Sequence, residues 1–120
     1  MARVAGVDTP RRGDVYWASL DPTVGADIAT TRPVLIVSND VGNQHSPLVS
    51  IAPLTSGAGD RVYPFEVLVV GGEGGIPRQS TILLNQIRTI DKRRLGPRLG
   101  ALSAARMAEV DRAIRLSLAV

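Results

Sequence analysis

The chain has 120 residues, enough for one domain, and it is 44% hydrophobic but only 3% aromatic, so its core must be aliphatic. It has no cysteine, which removes disulfides, zinc–thiolate sites and thiol nucleophiles, and no apolar run near the ~18 residues of a membrane span. The net charge of +3 favours an anionic partner such as nucleic acid, and Lys92 is the one lysine among 14 basic residues; arginine grips phosphate bidentately, although a GC-rich genome gives the same bias without function.

Residues 1–10 carry neither the basic start nor the apolar stretch of a secretory signal, so a cytoplasmic protein without membrane contact is expected. They read as a disordered N-terminus, and 11–120 as a single domain. Residues 14–20 alternate as a first strand, with Val15 and Trp17 on one face and Tyr16, Ala18 and Leu20 on the other. A long loop over 21–31 carries Pro22 and Gly25. Arg32 then opens onto Pro33-Val34-Leu35-Ile36-Val37, an aliphatic run that predicts a buried strand with proline at its first position. Residues 41–47 read as a turn with room for one helical turn.

Further strands are expected over 48–55 and 61–70, joined by the connector Ser56-Gly57-Ala58-Gly59-Asp60. The glycines at 71–75 predict a flexible loop without nucleotide-binding spacing. Residues 81–84 and 87–90 are two short strands around Asn85-Gln86, or one strand kinked there. Residues 91–100 read as a basic loop with room for a short terminal strand. Ser103 caps a final helix whose apolar stripe is Met107, Val110, Ile114 and Leu118, with ion pairs expected between Asp111 and Arg115 and between Glu109 and Arg112. Many short strands, Gly/Pro turns and one amphipathic helix predict a mainly β (α+β) fold, a small antiparallel barrel closed by a C-terminal α-helix.

The proline pushes Arg32 toward an extended backbone and fixes its guanidinium at a loop mouth above a rigid core, where a phosphate-handling arginine is useful. Several blocks then resemble the MazF/PemK-type toxins of bacterial toxin–antitoxin pairs. They are Arg12-Gly13-Asp14-Val15-Tyr16-Trp17, Pro22 and Gly25, Arg32 to Asp40, Gly42-Asn43, Ser46-Pro47, Pro53-Leu54-Thr55-Ser56 and Ser80 to Asp91. Each block is weak alone, but their order and spacing are specific, and together they cover about residues 11 to 118.

The resemblance implies a homodimeric, SH3-like (CcdB/PemK-like) barrel that cuts single-stranded RNA at a short sequence. It implies no metal and no other cofactor, and products with a cyclic phosphate and a free 5′-hydroxyl. The family's catalytic arginine and threonine fall on Arg32 and Thr55. Expected RNA contacts are Asp27, which stands where members carry an acidic loop residue, with Asn39, Ser56, Asn85, Gln86 and Arg88. Where members often have glycines before the arginine, this chain has the stiffer Thr30-Thr31. The implied partner is a cognate antitoxin whose acidic, disordered segment lies over the RNA groove.

The residues also admit plainer readings. Arg32 could pair with Asp27 or Asp40, Thr55 could simply end a strand, and Asn85-Gln86 could be an ordinary turn. If Arg32 faces a phosphate, its forked donors match two oxygens and Thr55 adds a hydroxyl donor. A guanidinium stays protonated at neutral pH, so Arg32 is chiefly an electrostatic stabiliser and a candidate proton donor, and the general base is unassigned. His45, the sole histidine, sits in a polar turn where solvation is the better reading. Arg88, Lys92, Arg93, Arg94 and Arg98 form the densest basic cluster, either a phosphate track or a solvated face. Trp17 is expected in the core or a dimer seam. The alternative function is a non-enzymatic toxin of the same fold that poisons DNA gyrase; such toxins depend on a Trp-Gly-Ile end, whereas this chain ends Leu116-Ser117-Leu118-Ala119-Val120.

Overall fold

The computed structural model describes residues 9–20, 30–56 and 62–120. Most of the expected disordered N-terminus, the loop residues 21–29 with Asp27, and residues 57–61 lie outside the described residues. Among the described residues the order is β1 (Asp14–Leu20), β2 (Thr30–Ile36), α1 (Asp40–His45), β3 (Leu48–Ser56), β4 (Glu66–Val69), β5 (Ser80–Leu83), β6 (Arg88–Asp91), β7 (Leu95–Ala101) and α2 (Ala104–Leu118). No described helix is long and apolar enough to cross a membrane.

Every strand pair is antiparallel, in the order β4-β5-β3-β2-β1-β7, with β6 added to β3. β3 changes partner along its length. Leu48 to Ile51 pair with β6, and Leu54 to Ser56 pair with β5. The residues between, Ala52 and Pro53, pair with β2. The mainly β class with a C-terminal helix is as expected, but β4 and β7 do not pair among the described residues, so the barrel ladder is not closed. A 3-10 turn at Glu73–Gly75 fills the space instead. There, Gly75 and Gly100 bring two backbones together: a Cβ on Gly75 would lie 2.1 Å from the Leu99 carbonyl oxygen, and one on Gly100 2.6 Å from that of Gly74. Within the stretch expected to be a flexible loop, Gly74 and Gly75 therefore make a packed contact with β7.

The period-2 pattern of β1 sorts its residues into two cores. Val15 joins Leu35, Leu54, Ile82 and Val110, whereas Tyr16, Ala18 and Leu20 join Val34, Ile36, Val49 and Ile51. Each buried aliphatic side chain contributes about 1.5–3 kcal/mol. On α2, Ser103 Oγ accepts from the Arg106 N–H at 3.1 Å, a cap that contributes about 1 kcal/mol. Val110 and Ala113 are buried and Met107 and Ile114 half-buried, but Leu118 is exposed, so the stripe covers the sheet only as far as Ile114. Both expected intrahelical ion pairs give way to other partners. Asp111 takes Arg12 at 2.9 Å, and Arg106 takes Glu73 at 2.6 Å together with Glu109 at 3.1 Å, which ties the helix to β1's entry and to the 73–75 turn.

Three expected elements have different bounds. β2 begins before its proline: Arg32 and Pro33 are already opposite Ala18 and Trp17 of β1. The strand expected over 61–70 is only β4, because Pro64 turns the chain, Tyr63 stacks on Phe65 with ring centroids 5.4 Å apart, and the Glu66 N–H closes on the Tyr63 carbonyl at 2.8 Å. The basic loop contains a full strand, β7, held along β1 with two register shifts.

Candidate functional site

The last β2–β3 pair is Val34 with Pro53. Pro33, immediately beyond it, has no N–H to give, so the ladder stops and the two strands part. Two residues past the last pair on each strand stand Arg32 and Thr55, which face one another in register across the opening. The opening is a groove of about 500 Å³ lined by Trp17, Thr31, Arg32, Pro33, Leu54, Thr55, Ser56, Pro77, Arg78 and Ser80. The sequence thus places the arginine and the threonine on the two lips of one break in the sheet.

Arg32 is half-buried, and its Nε is shielded from solvent with no hydrogen-bond partner among the described residues. The ion pair with Asp40 does not form. Asp40 accepts from the Arg12 backbone N–H at 2.7 Å and from Asn43 Nδ2 at 3.2 Å, and the Arg12 bond holds its carboxyl below the usual carboxylate range. The Thr55 hydroxyl has only a long 3.5 Å contact to the Ser56 carbonyl, so it is available to a ligand. A charged donor and a hydroxyl aimed into one cleft match the non-bridging oxygens of a phosphate.

Of the other expected RNA contacts, Ser56 lines the groove and Asp27 is outside the described residues. Asn39 is exposed and caps α1, its Oδ1 accepting from the Gly42 N–H at 2.7 Å. Asn85 and Gln86 are exposed in the turn between β5 and β6, and Arg88 is half-buried opposite Ile51; none of the three lines the groove. The basic cluster is largely partnered. Arg93 forks onto Asp91 through two 3.1 Å bonds, Arg94 donates to the Ser19 carbonyl at 3.3 Å, and Arg98 pairs with buried Asp14 at 3.1 Å.

The groove also contains residues that sequence reasoning did not select. Trp17, expected in the core or a seam, is half-buried on the wall, and Arg78 is exposed there. No local signal marked Arg78; it comes here because it stands just ahead of β5, the strand that pairs with the Thr55 end of β3. Among the described residues no three His, Cys, Asp or Glu side chains are grouped to hold a metal ion.

The site is thus an arginine–threonine cleft at a break in the β2–β3 ladder of an antiparallel sheet that is followed by a C-terminal helix. The family model described as PemK-like, MazF-like toxin of type II toxin–antitoxin system matches residues 11–118, and the chain belongs to that family. It is similar to the endoribonuclease MazF of Staphylococcus epidermidis, 44% identical over 108 residues that cover 90% of each chain. It is also similar to the endoribonuclease EndoA of Bacillus subtilis, 43% identical over 110 residues, 92% of this chain and 95% of that one. Among solved structures, an endoribonuclease in complex with its cognate antitoxin from Mycobacterial species superposes with a TM-score of 0.76 at 28% identity, over 92% of this chain and 96% of that one.

Proposed function

We propose that this chain is an endoribonuclease toxin that cuts single-stranded RNA by the substrate's own 2′-hydroxyl, without a metal, leaving a 2′,3′-cyclic phosphate and a 5′-hydroxyl. The observation that carries the reading is the placement of Arg32 and Thr55 in one groove at the open end of the β2–β3 ladder. Family membership and the two endoribonuclease relatives support it. In this reading the Arg32 guanidinium holds the scissile phosphate and meets the charge that builds on it, and the Thr55 hydroxyl donates to the same group. Ser56 and, from neighbouring segments, Asp27, Asn39, Asn85, Gln86 and Arg88 contact the strand. Asn and Gln offer both a donor and an acceptor to exposed base edges.

The working form is a cytoplasmic homodimer restrained by a cognate antitoxin whose acidic segment folds over the groove. Exposed Leu48, Leu116 and Leu118 offer apolar surface for a second copy, and the antitoxin complex of the mycobacterial relative supports the regulation. The test is to incubate the purified protein with a long single-stranded RNA in EDTA and to map the ends. Discrete cuts ending in cyclic phosphate are expected. Intact RNA, with gyrase inhibited instead, would replace this reading with that of a gyrase poison.

A further inference from the structure

Among the described residues, Arg12, Arg93, Arg98 and Arg106 hold carboxylates. The two that line the groove, Arg32 and Arg78, have no carboxylate within ion-pair distance among the described residues, and no described residue of the groove's lining is acidic. Their positions are not equivalent. In the sheet β3 lies between β2 and β5, so Arg32 on β2 and Arg78 just ahead of β5 flank Thr55 from opposite sides. Two strand spacings separate those sides by roughly 10 Å, and more where β2 has parted from β3. Two guanidiniums so placed fit successive phosphates of one extended strand better than a single phosphate.

The backbone beneath Arg78 is held in place. Its carbonyl accepts from Ser80 Oγ at 2.9 Å. On the other side Gly71 packs against it, and a Cβ there would lie 3.2 Å from Arg78 Cα and 3.5 Å from the Gln79 nitrogen. The Cα is fixed while the side chain projects, exposed, over the cleft.

We propose that Arg78 is the second phosphate-holding residue of the groove, gripping the RNA phosphate next to the scissile one, with Gly71 as the positioning residue that sets it. This rests on the RNA-cleaving reading above, but it concerns binding, which can be measured apart from cleavage. A uniform grip on a phosphate that does not react acts on ground and transition states alike, so it appears in KM and not in kcat.

The experiment compares wild type, Arg78→Ala and Arg78→Lys on a fully 2′-O-methylated single-stranded RNA, by fluorescence anisotropy from low to moderate salt. Cleavage kinetics are measured on unmodified RNA. Arg78→Ala is expected to bind about tenfold more weakly, with the slope of log affinity against log salt reduced by about 0.7, the value for one phosphate on a single strand. Its KM should rise about tenfold with kcat within a factor of two or so, and Arg78→Lys should restore the slope but only part of the affinity. A methylphosphonate replacing the phosphate beside the mapped cut should weaken wild type and leave Arg78→Ala unaffected. Gly71→Ala, with the arginine intact, should raise KM by a smaller factor. Binding and KM unchanged in folded Arg78→Ala overturn the assignment, as does a loss of kcat alone. If wild type binds RNA through Arg78 but never cuts it, the cleavage reading fails and the phosphate grip stands.

Discussion

Truncating Arg32 to alanine removes a charge from the groove without removing a contact on which the sheet depends. The residue is held in β2 by backbone pairing with Ala18, which alanine preserves. A preorganised charge facing a reacting phosphate is worth about 3–4 kcal/mol in the transition state, so cleavage should fall roughly 100- to 1,000-fold. Stability should move differently. The Nε donor is shielded and without a partner among the described residues, and such a group destabilises a fold by about 1–3 kcal/mol. Losing the packing of the aliphatic stem offsets about 1 kcal/mol of that. The variant should therefore be between equally stable and about 2 kcal/mol more stable, which for a domain of this size is up to ~8 °C in Tm. The assay pairs cleavage of a defined RNA with a thermal melt on the same preparations. A folded Arg32→Ala that cuts within about threefold of wild type would refute the catalytic placement. A Tm lowered by more than ~4 °C would show that the side chain holds the fold instead.

Thr55→Ala should slow cleavage about ten- to a thousandfold while Thr55→Ser retains most activity; equal rates for the two would assign Thr55 to packing. Replacing the 2′-hydroxyl by hydrogen at the mapped cut should stop cleavage yet leave binding measurable by anisotropy, and cleavage of that substrate would point to an activated water instead. Gly75→Ala should lose about 3 kcal/mol or more in a urea melt, since Gly75 has φ +77° and its Cβ would meet the Leu99 carbonyl oxygen at 2.1 Å; a near-wild-type midpoint would mean the turn can move off β7. The Arg106 guanidinium holds the Glu73 carboxyl below its ordinary value of 4.5, so this bond's stability is fully present above that pH and lost as pH falls through the lower folded value. Urea midpoints of Glu73→Gln and wild type should accordingly differ at pH 7 and converge in acid, whereas a constant difference would place the effect elsewhere.

The aliphatic runs made most of the fold readable. β1 coincides with its expected span because alternation, a preceding glycine and a following Pro22 all agree. β7 was hidden because Gly96, Pro97 and Gly100 with Arg98 have the composition of a loop; it is a strand because β1 offers a ladder and Gly100 admits the Gly74 backbone. That closeness is tertiary, and no local pattern contains it. In the site, Arg32 was readable from its place ahead of a buried run, and Thr55 and Ser56 through the family resemblance; the β2–β3 register brings the three to one groove. Arg78 was not, because its relation to Thr55 passes through the pairing of β5 with β3, a contact between segments far apart in the chain. The run of arginines near 93–98 drew attention by density, yet its charges are largely committed to Asp91, Asp14 and a backbone carbonyl.

The break between β2 and β3 is written into covalent structure, since a proline nitrogen carries no hydrogen whatever the solvent or temperature. An opening that depended on a breathing ladder would exist for only a fraction of the time, and every ligand would bind more weakly by that fraction. At the Pro33 position the donor half of a zipped pair cannot form, which disfavours a closed population that would reduce ligand affinity at this point. In the proposed reading, a restraining partner then gains little from trapping a shut form of the cleft and excludes RNA by occupying it. Its effect should follow its own local concentration and vanish once it is degraded, with no slow conformational recovery at the ladder break.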